Sequence, residues 1–552
     1  VAVAVGLSWP LVLHLDERFL GDATHPGNQG DLFFTYNLQA QMQQGGWPDI
    51  LHTDLLLHPD GMPIDSRVAF SAHQIANVAF MTVFGLLASR NLTALLILVL
   101  NAVTLHLLVR ERTGREWYAY AGGLMFGFGP YAFLKIDQGF FQKTTLFAVP
   151  MILLYLLRVM EGGRRRDAVL CVLWLLVMLA IYPPYGVFCV AFAGLLVLGQ
   201  GLADRSLWDL VKRVWPLAAA VVVTFGGVAL AIRGDPRPTT MDMSPDRYQL
   251  LGGFLDPRFP FRWWPYEHTF DLPPSPIIPT MVLGLPALIT LLALFSAWLG
   301  VRHARVLCAV AGVLLVVMLG PYLAPGGDAE GALKLPFYYL GHLPMGSVLK
   351  FPIRLYPWVL IALVLAAGGG LRVIERYAGK RWPRVAALVC PVMLVAVVAE
   401  NRLVFPEYRR FLVTELDVPQ FYEDTANEEF ESLLLLPMEP MTTNEYLVVP
   451  AISGRKLVNG YMALRPDIEL PPMGPRSVIP PDLRSFLVGA DVGYIVVTLD
   501  MPDPAFWARA QASVDGRVLG PVEYRALERW CGLPRIYLED RLAVYEIPGV
   551  VR

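Results

Sequence analysis

Residues 68–88, VAFSAHQIANVAFMTVFGLLA, are nearly long enough to cross a bilayer, and whether they cross decides the side of every loop that follows. Loop charge settles the question. With the start of the chain in the cytoplasm and loop 15–91 outside, the compact basic loops 110–116 (RERTGRE), 161–167 (EGGRRRD), 203–213 (ADRSLWDLVKR), 301–305 (VRHAR) and 375–384 (ERYAGKRWPR) all face in. Counting 68–88 as a crossing would put Arg164, Arg165 and Arg166 outside. The segment is therefore expected to be a re-entrant or interfacial helix that carries His73, Gln74 and Asn77.

Composition sets the class around that segment. Of 552 residues, 55% are apolar and only 17% charged, and the mean hydropathy is +0.48, a balance foreign to soluble domains of this length. Apolar runs of spanning length, about 17 to 25 residues, occur at 92–109, 117–134, 142–160, 167–182, 184–202, 214–232, 276–300, 305–323, 353–374 and 386–403. Run 167–182 ends in YPPYG, where the prolines break the helix. The chain opens VAVAVGLSWPLVLHL without a methionine, which reads as the remainder of a first span and brings the expectation to about eleven. A net charge of −2 gives no reason to expect nucleic acid. Four of the five cysteines lie in apolar runs, and no disulfide framework or metal cluster can be built from them.

The tail 405–552 differs in kind. Charges and prolines become frequent, and short strand-like runs appear: SLLLLPM, EYLVVPAI, VGYIVVTL and a closing hairpin RIYLEDRLAVYEI. The expected organisation is a transmembrane domain over 1–404, with interfacial helices in loop 15–91, followed by a small extracytoplasmic α+β domain over 405–552. LRSFLVGADVGYIVV reads as helix, turn and buried strand and carries no nucleotide fingerprint.

On this topology the chemistry gathers on the outer face. GDLFFTYNLQAQMQQG sets Phe33, Tyr36 and Ala40 at helical spacing, so it is expected to lie along the membrane surface with one apolar face down and Asp31 in its first turn. There Asp31 either stabilises the helix N-terminus or takes a proton from an acceptor hydroxyl. Asp16 and Glu17, just past the first span, are the other candidate bases or plain interfacial charges. Lys350 and Arg354 stand at the outer mouth of a span, where two cations can hold a phosphate, unless they only snorkel to the headgroups. Lys135 and Lys143, with Asp137 and Gln138 between them, form either a salt-bridged turn or part of that site, with Lys135 a donor-phosphate candidate. His58, His73, Gln138, Arg262, Glu267 and His268 are candidate sugar contacts, while Trp263, Trp264 and Tyr266 fit an interfacial aromatic belt. No cofactor or metal site is predicted, although carboxylates alone can hold a hard divalent cation.

The order of GDLFFTYN, HTDLLLHPDGMPI, LLVRERTG, FGFGPYAFLKIDQGFFQ, KFPIRLYPWVLIALVLAAGGGL and a tail with LLLLP, LVNGY and YIVV resembles the bacterial YfhO-like multi-span proteins of the GT-C glycosyltransferase superfamily. The resemblance implies a GT-C-like polytopic α-helical fold in a bacterial cytoplasmic membrane. It further implies transfer, usually with inversion, from a polyprenyl-phosphate sugar donor to a glycan, lipid or protein acceptor. Asp31 matches the family's first-loop acid, and KFPIR its donor-phosphate position, which implicates Lys350 and Arg354. A clear paired DE or DD is missing from the first-loop helix. The competing expectations are a transporter or flippase of lipid-linked glycans and a non-catalytic scaffold for envelope polysaccharide assembly.

Overall fold

Helices make up most of the computed structural model. It describes residues 1–21, 26–43, 52–53, 55, 62–63, 72–137, 139–231, 287–323, 333–342, 352–381, 392, 395–396, 411–415, 420–424, 432–436, 449–453, 455–457, 488–489, 491–498, 535–539 and 542–546. In chain order the helices used below are α1 (Ala2–Leu7), α2 (Pro26–Gln43), α3 (Ala72–Phe84), α4 (Leu86–Thr113), α5 (Glu116–Phe128), α6 (Pro130–Asp137), α7 (Phe141–Thr144), α8 (Ala148–Met160), α9 (Arg165–Ile181), α10 (Pro183–Asp204), α11 (Leu207–Ala231), α12 (Ala287–Trp298), α13 (Arg302–Met318), α14 (Pro336–Gly341) and α15 (Tyr356–Arg381). Four stretches among the described residues are long and apolar enough to cross a membrane: Leu86–Thr113, Phe141–Met160, Pro183–Asp204 and Pro352–Tyr377.

Two expected continuous spans are broken. The run 117–134 becomes α5 and α6, because Gly129 is extended (φ −85°, ψ 175°) and Pro130 opens the next helix. The run 142–160 divides between α7 and α8. A buried amide on α4 holds that break: Asn101 Nδ2 donates to the Thr144 carbonyl (2.7 Å), and the Leu146 amide donates to Asn101 Oδ1 (3.0 Å). Backbone groups freed inside a bilayer need such partners. The prolines of YPPYG do end α9, and Pro183 starts α10.

The chain divides into two compact units. The first comprises Val1–Leu7, Leu95–Lys135 and Gln142–Phe411. In it α15 packs against α12 and α13, and α5 lies so close to α4 that a Cβ on Gly123 or Gly127 would sit 2.5 and 2.6 Å from the carbonyls of Ala102 and Leu98. One end of this unit gathers all five basic loops. Arg112 pairs with Glu161, Arg115 with Glu375 (2.6 Å), Arg158 with Glu111 and Arg302 with Asp204, while Arg213 donates to the Met160 carbonyl (2.9 Å). Loops that charge alone assigned to one side therefore also meet in space.

The second unit comprises Ser8–Ala94, Ile136–Phe141 and Leu412–Arg552, so the first loop and the tail fold together. Strand β1 (Arg18–Leu20) pairs antiparallel with Val413–Glu415. Arg90 and Asn91, at the start of α4, hold β1: Asn91 Nδ2 donates to the carbonyls of Leu15 (2.9 Å) and Arg18 (2.7 Å), and Arg90 donates to that of Leu20 (2.9 Å). The Arg90 guanidinium lies between the rings of Phe19 and Phe141, 3.5 and 4.4 Å from their centroids. The tail contains a five-stranded mixed sheet. Its hairpin Arg535–Glu539 and Leu542–Glu546 adds antiparallel to Val492–Thr498, which runs parallel to Ser432–Leu436, itself parallel to Lys456–Leu457. Of EYLVVPAI, expected as a strand, the described part is helical over Val449–Ser453.

Helix α3 is amphipathic inside out. His73, Gln74 and Asn77 are buried, while Ile75, Val83 and Phe84 are exposed. Thirteen residues rise about 20 Å, short of a hydrocarbon core of about 30 Å, and Gly85 at φ +81° turns the chain into α4. Helix α2 departs from expectation. Leu32, Phe33, Phe34, Thr35, Asn37 and Leu38 are all buried, so it is enclosed on most sides rather than laid on a surface by one face. It also begins at Pro26, which puts Asp31 in the second turn instead of the first.

Candidate functional site

Three cations from separated segments converge in the helical unit. Lys135 ends α6, Lys143 lies in α7, and Arg354 lies in the 3-10 turn Pro352–Leu355 that leads into α15. Arg354 is near enough for its charge to act on both lysines, and Lys135 acts on Lys143. Lys135 is buried. Lys143 stands beside the break between α7 and α8, and Lys135 lies in the last turn of α6, which ends at Asp137.

Aromatic rings hold the cations. The Arg354 guanidinium lies 5.6 Å from the centroid of Tyr182, and Lys135 Nζ 5.9 Å from that of Tyr131. Tyr131 stacks on Tyr356 (5.8 Å, 11°), and its hydroxyl is hydrogen-bonded to that of Tyr185. Tyr185 meets Tyr182 and Trp358 edge-on, at 4.8 and 5.1 Å. From Tyr131 a narrow cleft continues among Met125, Phe126, Leu146, Tyr356, Pro357 and Leu360. Tyr131 and Tyr356, the stacked pair, therefore belong both to the ring cluster around the cations and to the lining of that cleft.

The expected residues distribute unevenly. Arg354 and Lys135 come together, and Lys143, set beside Lys135 in the sequence, joins them. Asp16 and Glu17 are exposed in the second unit, and Glu17 is hydrogen-bonded to His14 at 2.9 Å. His73 is buried in α3, 6.0 Å from the Phe141 ring, in a polar cluster where Asn77 donates to Thr35 at 3.2 Å. The Asp31 side chain, Lys350, His58, Gln138, Arg262, Glu267 and His268 lie outside the described residues. No group of three metal-ligating side chains occurs among the described residues. Sequence reasoning missed Tyr131, Tyr182 and Tyr185. YPPYG was legible as a helix break, but two tyrosines flanking paired prolines were also a sign of rings held at a helix end.

No family model matches the chain, and no curated protein matches it. Among solved structures it is similar to ArnT from Cupriavidus metallidurans bound to undecaprenyl phosphate, with 14% identity, 99% of this chain and 97% of that one covered, and a TM-score of 0.46. It is also similar to the archaeal oligosaccharyltransferase AglB from Archaeoglobus fulgidus in complex with an inhibitory peptide and a dolichol-phosphate, with 12% identity, 96% of this chain and 69% of that one covered, and a TM-score of 0.41.

Proposed function

We propose that this chain is an integral membrane glycosyltransferase of the GT-C type, moving a sugar from a polyprenyl-phosphate donor to an acceptor hydroxyl on the outer face of a bacterial cytoplasmic membrane. The observation that carries the proposal is that Lys135 and Arg354, from separated segments, lie against Tyr131 and Tyr182 of one ring cluster, whose Tyr131 and Tyr356 also line an apolar cleft. A lipid phosphate satisfies both halves of that site at once. The eleven-span topology and the inverting course belong to the same proposal.

In the proposed reaction the acceptor oxygen attacks the anomeric carbon as its proton passes to a carboxylate. The bond from that carbon to the phosphate oxygen breaks, and the electron pair leaves on the lipid phosphate. Because the phosphate gains a negative charge in that step, cations fixed around it stabilise the transition state more than the donor. Asp31 is the proposed base. It lies in the second turn of α2, where the helix N-terminus acts on a carboxylate more weakly than in the first.

The test is sugar transfer from radiolabelled polyprenyl-phosphate donors in reconstituted vesicles, comparing the native chain with Asp31→Asn and Arg354→Ala at matched folding. Both variants should lose at least about a hundredfold in rate. Full activity in Asp31→Asn moves the base to another acid. Vesicles in which the native chain moves lipid-linked sugar across the bilayer without transferring it favour a flippase.

A further inference from the structure

At the end of the helical unit where the basic loops gather, some cations are neutralised and others are not. Arg112, Arg115, Arg158 and Arg302 each meet a carboxylate. Arg165, Arg166, Arg205 and Lys212 are exposed and form no ion pair among the described residues. Of these, Lys212 stands beside aromatic rings. Leu210 and Leu217 are buried and mark the face of α11 that meets the other helices. With about 100° between successive residues, Trp208, Lys212 and Trp215 stand on the opposite face, and all three are exposed, the two rings at 69% and 62%. Arg213, on the inner side, donates to the Met160 carbonyl at 2.9 Å and so holds this turn against the end of α8. Lys212 Nζ lies 5.7 Å from the centroid of the Trp208 ring. Two turns beyond Trp215 the same face continues in Val222, which is also exposed.

We propose that Trp208, Lys212 and Trp215 form a binding site for an anionic phospholipid, with its headgroup phosphate on Lys212 and its acyl chains along Trp215 and Val222. A lipid fits better than a soluble anion, because the cation adjoins an exposed apolar face that leads into the run 214–232. Tryptophan rings favour the headgroup level of a bilayer, and a lysine stem covers apolar surface while its ammonium reaches the phosphate. Over residues 205–213 the cations Arg205, Lys212 and Arg213 outnumber the single acid Asp209, so the local field favours a negative headgroup over a zwitterionic one. None of these residues takes part in the proposed sugar transfer.

The experiment titrates the purified full chain in detergent with phosphatidylglycerol and with phosphatidylcholine of the same acyl chains, and reads bound lipid by native mass spectrometry. The native chain should bind phosphatidylglycerol about fivefold more tightly, the scale of one basic side chain at a membrane surface. Lys212→Gln should remove that preference and Lys212→Arg should keep it. Arg110→Gln, which alters an exposed arginine already paired with Glu116 at 2.6 Å, should leave it unchanged. Trp208→Ala should weaken binding of both lipids, because it removes apolar surface common to both. A native chain without preference, or a preference that survives Lys212→Gln, would overturn the proposal. Equal losses in Lys212→Gln and Arg110→Gln would do the same, since they would mean a diffuse basic face instead of a site. If excess inorganic phosphate displaces the phosphatidylglycerol, the patch takes the free anion and the lipid assignment is wrong.

Discussion

Asn101 places an amide inside an apolar run, and both ends of that amide are spent on the break between α7 and α8. Replacing it with leucine leaves the Thr144 carbonyl and the Leu146 amide unmatched in apolar surroundings. The expected loss is about 2–4 kcal/mol, read as a lower unfolding temperature in detergent. Because Lys143 lies in the four-residue helix just before the break, the surviving folded fraction should also bind polyprenyl phosphate more weakly. Asn101→Asp, which keeps the acceptor and loses the donor, should fall between the two. A leucine variant as stable as the native chain would show that the break needs no partner. The contrast with Lys135 and Arg354 explains what the sequence exposes at this scale. Cations beside apolar runs stand out as charges, whereas the value of Asn101 depends on backbone groups 43 and 45 residues away.

The helices themselves were legible as apolar runs, but their interruptions and approaches were legible only in part. Gly129–Pro130 and YPPYG carry their own punctuation. The close packing of α5 on α4 does not, because it depends on which helix lies opposite the glycines. Gly127→Ala would bring a Cβ to 2.6 Å from the Leu98 carbonyl and 2.7 Å from Ala102, so it should cost about 1–3 kcal/mol by overpacking. Gly194 on α10 has nothing within 4 Å of that position, and Gly194→Ala should be neutral or gain up to about 1 kcal/mol from helix propensity. Thermal unfolding of the two variants in one detergent decides the matter, since equal shifts would mean that propensity rather than contact governs both sites. The same logic accounts for α2. Phe33, Tyr36 and Ala40 suggested one apolar face, but burial of Thr35 and Asn37 as well depends on α3, whose buried Asn77 meets Thr35 and whose polar side is turned inward.

At the scale of the whole chain, strand pairing constrains the topology independently of charge. Residues 18–20 and 413–415 are hydrogen-bonded neighbours and must lie on the same side of the membrane, so the chain crosses an even number of times between them. The proposed eleven spans meet this condition, with one crossing before residue 15 and ten between 92 and 403. The basic loops, joined to one another by ion pairs, belong on the side opposite that strand pair in this topology. Single cysteines introduced at the exposed positions Asp16, Leu412 and Arg165 in a cysteine-free background test this with a membrane-impermeant thiol reagent on intact cells. Asp16→Cys and Leu412→Cys should label together, and Arg165→Cys only after the membrane is opened. Labelling of Asp16→Cys without Leu412→Cys would contradict the pairing of the first loop with the tail. Labelling of all three in intact cells would instead require an even number of crossings on each side of Arg165, as when 68–88 crosses and one of the seven later runs does not, and would place the arginines of 164–166 outside against the charge rule from which the topology was built.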